Sequence, residues 1–145
     1  MRYTTAITIN LPRNRVIDLF DNSDNIKKWQ PELIKFEHLS GTPGQNGAKT
    51  KMLYNMGGRE TEMVETIVER NFPDSFSATY ETKGVKNMLE NEFIALDENT
   101  TKWKMISEFS FSGFYKLMGL LMPGAFKKQS LKTMNQFKNF AESEG

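Results

Sequence analysis

Hydrophobic and polar residues in this chain follow a period of two over most of its length and a helical period after the first strand and in the C-terminal segment. Tyr3–Asn10 alternates, with Tyr3, Thr5, Ile7 and Ile9 on one side, which predicts a first strand. Asn10-Leu11-Pro12 then opens a helix. Asn10 or Leu11 is expected near the cap and Pro12 in the first turn, while Val16, Ile17, Leu19 and Phe20 supply an apolar face. Ser23 or Asp24 is the expected cap of a second short helix through Trp29, stopped by Pro31.

From Leu33 the alternation returns. Leu33–Ser40 reads as a strand, ended by the turn-forming run Gly41–Gly47. In Ala48–Met56, residues Met52, Tyr54 and Met56 oppose Lys49, Lys51 and Asn55, and Gly57-Gly58 predicts a tight hairpin into Arg59–Arg70. Met63, Val64, Ile67 and Val68 occupy both phases of that strand, so its inward face stays open and a bulge fits the pattern. If Met63 and Ile67 point inward, so does Glu65, and burial then raises its pKa. After the turn Asn71–Asp74, Phe76, Ala78 and Tyr80 share a face of Ser75–Lys83.

Asn87–Leu96 and Thr101–Ser112 flank the polar turn Asp97–Thr100. Closing that hairpin sets Ala95 near Trp103, Phe93 near Met105, Asn91 near Ser107 and Leu89 near Phe109. The opposite face carries Glu90, Glu92, Lys102, Lys104 and Glu108, with Ile94 and Ile106 as exceptions. One wet face and one apolar face mark an antiparallel sheet covered on a single side. The cover is the C-terminal segment from about Ala125 to Glu142, where Phe126, Ser130, Met134, Phe137 and Ala141 form one helical stripe. Phe114–Met122 is apolar but too short to span a bilayer, and Lys116, Pro123 and Gly124 break it. It reads as a helix capping the open end of the sheet, or as a lid touching a lipid surface while a ligand enters.

The elements sum to an α+β chain: strand, two short helices, six strands, long helix. Its 145 residues fit a single domain over 1–145. Nineteen basic against eighteen acidic residues leave +1, with no electrostatic excess to attract nucleic acid. Without cysteine there is no disulfide, thiolate metal site or cysteine nucleophile, and one histidine, His38, cannot make a His cluster for zinc. No metal and no cofactor is expected. MRYTTAITINL lacks a signal-peptide pattern, so a cytoplasmic location is expected. Nine Met and eleven Phe stand beside only eleven Leu, which suits either an irregular core or an adaptable cavity wall.

Several local features carry a resemblance. They are Trp29-Gln30-Pro31 after the second helix, the Gly41–Gly47 loop, the Phe72-Pro73 turn, Thr101-Lys102-Trp103 and Leu131…Phe137-Lys138…Glu142. With the element order, they make the chain resemble the START-like superfamily, in its polyketide cyclase/dehydrase and lipid-transport group (SRPBCC, Bet v 1-like helix-grip proteins). The resemblance implies a seven-stranded curved antiparallel sheet wrapped around the long C-terminal helix. It also implies a cavity between the two for a hydrophobic or amphipathic small molecule or lipid.

The inward residues that would line that cavity are Met52, Tyr54 and Met56, then Phe76 and Tyr80, then Leu89, Asn91 and Phe93. Trp103, Met105, Ser107 and Phe109 follow on the last strand, and Met134 and Phe137 on the helix. The same residues, packed tightly, make a plain core. Asn91 and Ser107, on the apolar face, must bond each other, water or a ligand. Carriage of a hydrophobic ligand without catalysis is the first expectation, by a monomer or homodimer without stable membrane insertion. A cyclase- or dehydratase-like enzyme is the alternative, using Tyr54, Tyr80, Asn91 or His38 to polarise a carbonyl or move a proton. An interaction module acting through its outer surface is a third.

Overall fold

The computed structural model describes residues 1–113, 116 and 123–145. Pro12 has no backbone N–H to leave unpaired, and it is itself the cap residue of α1 (Arg13–Phe20), one place earlier than its expected seat in the first turn. A single 3-10 turn, Ser23–Asn25, leads into α2 (Ile26–Trp29), and its cap is Asn22, whose side chain accepts from the Asp24 N–H at 3.0 Å. Ser23 and Asp24 do not cap.

Seven strands follow the alternation: β1 (Arg2–Ile9), β2 (Leu33–Ser40), β3 (Lys49–Met56), β4 (Arg59–Asn71), β5 (Ser75–Thr82), β6 (Val85–Asp97) and β7 (Thr100–Phe111). They form one antiparallel sheet in the order β1-β7-β6-β5-β4-β3-β2, curved around α3 (Pro123–Glu144). The fold is therefore the helix-grip arrangement, with two short helices after β1. Phe114–Met122, and its reading as a cap or a lid, lies outside the described residues apart from Lys116.

The β6–β7 register differs from expectation by two residues: Phe93 faces Trp103, Asn91 faces Met105 and Leu89 faces Ser107. The turn is tighter than four residues, because the Asp97 carboxylate accepts from the Asn99 N–H at 2.8 Å and the Thr100 hydroxyl at 2.7 Å. A bulge at Leu96 takes up the odd residue. An even shift keeps every side chain on its expected face. On the outer face Lys104 meets Glu92 at 3.7 Å.

The double phase of β4 also has a geometric cause. Thr61, Met63, Glu65 and Ile67 oppose inward residues of β3 and β5 until a bulge at Val68, after which Arg70 faces Phe76 and points inward. Arg70 then pairs with Asp21 at the end of α1 and lies 4.8 Å over the Phe72 ring.

Between sheet and helices lies an aromatic core. Phe20 packs edge-on against Phe72, Phe76, Phe93, Trp103 and Phe137, with centroids 5.1 to 6.2 Å apart. The helical stripe of α3 closes on it, with Met134, Phe137 and Ala141 at 0 % exposure.

Candidate functional site

The concave face of the sheet is not uniform from end to end. Where α1 and α2 cover it, side chains are sealed: Phe93, Trp103, Met105, Phe76, Met134 and Phe137 are buried, and they join Ile9, Val16 and Trp29 in the core. Asn91 belongs to this sealed part. It accepts from Trp103 Nε1 at 3.0 Å and donates to the Phe76 carbonyl at 3.2 Å, so its polar groups are spent on the scaffold. It does not bond Ser107. Met52 is also buried, whereas Met56, beside the Gly57-Gly58 turn, is exposed at 42 %.

Toward the other end the inward residues Leu89, Phe109, Tyr80 and Tyr54 keep part of their surface accessible, with Phe109 4.9 Å from the Phe126 ring of α3. Here one rung of the sheet is polar. Phe109, Asn87, Tyr80, Glu65 and Thr50 stand opposite one another across β7, β6, β5, β4 and β3. The neighbouring rung, Ser107, Leu89, Ala78 and Ile67, is apolar except for Ser107.

Within the polar rung the Tyr80 hydroxyl donates to Glu65 Oε2 at 2.7 Å. Burial pushes the Glu65 carboxyl above its ordinary range, and the Tyr80 hydrogen bond opposes part of that shift. Tyr80 is pushed up by burial and then by the Glu65 charge. Tyr54, which donates to Gln30 Oε1 at 2.6 Å, is raised by burial first and then by Glu65 and Glu32. Both tyrosines therefore hold their protons at neutral pH. On α3, Gln136 donates to Glu32 at 2.9 Å.

Among the described residues four buried polar atoms have no hydrogen-bond partner: Ser107 Oγ, Asn87 Oδ1, Gln136 Oε1 and Trp29 Nε1. Ser107 is at 0 % exposure. Such groups cost about 1–3 kcal/mol each when nothing meets them, so they mark where water or a ligand is wanted. His38 lies elsewhere: it is exposed, with Nε2 2.7 Å from the Gly41 carbonyl oxygen. Among the described residues no group of three His, Cys, Asp or Glu is arranged to hold a metal ion.

Hollows open at the surface among the described residues, two of them sizeable. One, of about 660 Å³, lies at the start of β4 and the end of β5, lined from both faces of the sheet by Thr61, Met63 and Thr82 and by Glu60, Glu62, Val64 and Glu81. The other, of about 560 Å³, lies by Arg13, Asp74 and Ile94.

Glu65 and Asn87 carry the polar rung, and the inward reading of Glu65 hung on a phase that pattern alone leaves open. Asn87 is in phase with Leu89 and Phe93, a signal as good as that of Asn91. Gln30, Glu32 and Gln136 give no such signal, because a loop and a helix bring them together.

Residues 1–142 match a family model described as polyketide cyclase / dehydrase and lipid transport. No curated protein matches the chain. Among solved structures, Ara h 8.0201 superposes with a TM-score of 0.79 at 15% identity, over 99% of this chain and 98% of that one. A START superfamily protein from Mycobacterium smegmatis gives 0.81 at 7% identity, over 99% of each chain. The Zhui aromatase/cyclase from Streptomyces sp. R1128 gives 0.81 at 13% identity, over 98% and 93%. At such identities the likeness is one of fold. Among the described residues no helix is long and apolar enough to cross a membrane.

Proposed function

The chain belongs to the polyketide cyclase / dehydrase and lipid transport family, and from that premise we propose that it binds a hydrophobic or amphipathic small molecule between sheet and α3. The occupied end is the one bearing Tyr80, Leu89 and Phe109, not the aromatic end beneath α1. The observation that supports this is the contrast along a single face. Phe93, Trp103 and Met105 are sealed at one end, whereas Tyr80, Leu89 and Phe109 are partly accessible at the other, where Asn87 Oδ1 and Ser107 Oγ have no hydrogen-bond partner among the described residues. Small-molecule sites combine an apolar wall with a few placed polar groups in this way.

Titration with an uncharged, environment-sensitive apolar fluorophore tests the reading. Leu89→Trp, which fills the accessible end, is expected to weaken binding by about tenfold or more, since bulk there removes the ligand's own volume. Ile94→Trp, on the outer face, is expected to leave it unchanged. Equal binding by both variants would remove the site from this end.

A second reading uses the same end for proton transfer. The Tyr80–Glu65 pair favours it, since a carboxyl raised by burial beside a phenol is suited to general acid–base work on a carbonyl compound. Of the four groups expected for such chemistry only Tyr80 and Tyr54 stand near Glu65. Asn91 is engaged by Trp103, and His38 lies exposed on β2.

A further inference from the structure

The Glu65 carboxyl stands on the concave face without a cation. Its Oε2 takes the Tyr80 proton, and its Oε1 accepts no hydrogen bond from the described residues. Arg70, which shares the face, is held by Asp21, and Lys132 sits 4.0 Å from Glu32. No described Lys or Arg forms an ion pair with Glu65. The other charge acting on Tyr54 is Glu32, also acidic. Glu32 is matched by Lys132, so the uncompensated charge at this end is that of the Glu65 carboxylate.

The uncharged groups beside Glu65 point the same way. Tyr80 has spent its one proton on Glu65, which leaves its oxygen as an acceptor. Asn87, in register with Tyr80, has its carbonyl oxygen buried and unpartnered. Ser107, on the adjoining rung, is at 0 % exposure with its oxygen unpartnered.

We propose that Glu65, with Tyr80 and Asn87, anchors the protonated amino group of an otherwise apolar ligand. The proposal rests on the small-molecule reading above and names the ligand class. A primary ammonium carries three donors and a charge, enough for the Glu65 carboxylate and the neighbouring acceptors together. An alcohol offers one donor and no charge. A carboxylate head would face Glu65 as a like charge. A buried carboxylate is costly alone and much less so when paired, so the cation gains more here than it would at the surface.

The test is displacement of an uncharged fluorescent probe by decylamine, decanol and decanoate at neutral pH, below their aggregation limits, on the full chain. Wild type is expected to bind decylamine about tenfold or more tightly than decanol, with decanoate weakest, as a charge-assisted hydrogen bond to a carboxylate implies. In Glu65→Gln the amine and the alcohol are expected to bind alike, whereas Tyr80→Phe keeps the preference for the amine. Circular dichroism and melting establish that each variant folds, and Glu65→Ala replaces the glutamine variant if that one does not. Decanol binding wild type as tightly as decylamine would overturn the proposal, as would an amine preference that survives loss of the carboxyl. Displacement by none of the three would instead overturn the small-molecule reading on which it rests.

Discussion

Trp103 donates its indole N–H to the Asn91 side-chain oxygen at 3.0 Å, diagonally across β6 and β7, in the sealed part of the core. Both residues are buried, and Asn91 returns a bond to the Phe76 carbonyl, so this polar pair ties three strands beneath an aromatic layer. Asn91→Leu keeps the volume but strands the indole N–H. Its cost is expected to be about 1–3 kcal/mol, the range for a buried donor left unmet. Trp103→Phe in that background removes the orphan, so the double variant should lose less than the two single losses added. Urea unfolding of the three variants measures this. Strict additivity would mean the pair does not couple.

Two glycines with positive φ should respond very unequally to substitution. Gly41 has φ +79°, and a Cβ there would lie 2.9 Å from the Ala48 Cα, a backbone atom that cannot step aside. Gly57 has φ +63° in the β3–β4 hairpin with nothing within 4 Å of such a Cβ. Gly41→Ala is expected to cost about 2 kcal/mol or more, combining strain with collision, whereas Gly57→Asn, whose side chain tolerates that conformation, should cost only a few tenths. Thermal melts of the two variants side by side decide the matter.

The succession of strands and helices along the chain, the faces of β3, β5, β6 and β7, and the stripe of α3 were legible in the sequence, because a period of two or of 3.6 is written in neighbouring residues, whereas the pairing of β1 with β7 is not. Register was less legible. Asp97 tightens its turn through its own carboxylate, and the hairpin lies two residues from the expected pairing while Phe93, Asn91 and Trp103 keep their faces. The bulge at Val68 put apolar residues in both phases of β4, and that ambiguity hid Glu65. Asn91 drew attention as a ligand group because it is polar on an apolar face, yet its partners, Trp103 and the Phe76 carbonyl, follow only from the true register. The division of the concave face into a sealed and an accessible end depends on where Phe20 and Phe72 project, and no local pattern encodes that.

Glu65 makes stability depend on pH in a direction opposite to most carboxylates. Burial raises its folded pKa above the ordinary value, so it binds its proton more tightly folded than unfolded. The stabilisation this provides is complete below the unfolded value, about 4.3, and is lost as pH rises through the folded value. Tyr80 and Tyr54, the groups facing it from β5 and β3, stay protonated over this range. Glu65→Gln is therefore expected to melt above wild type at pH 7 and to lose that advantage by about pH 4. Melting curves at the two pH values test it, and a gap that widens on acidification would contradict the inward carboxyl.

Two hydroxyls on the same face of β7 offer the sharpest comparison, because they share their depth and differ in their partners. Thr101 and Ser107 are each at 0 % exposure. The Thr101 hydroxyl donates to the Leu11 carbonyl at 2.8 Å, whereas Ser107 Oγ has no partner. Removing a satisfied hydroxyl strands its acceptor, so Thr101→Val, which preserves shape, is expected to cost about 1 kcal/mol or more. Removing an unsatisfied one strands nothing. Ser107→Ala should leave the ligand-free protein as stable as wild type or up to about 1 kcal/mol more so, with a small cavity term subtracted. Denaturant unfolding of the two variants reads the difference directly. Equal losses would mean that the Ser107 hydroxyl is satisfied in solution, and the face beside Glu65 would then lose one of the groups it offers to a ligand.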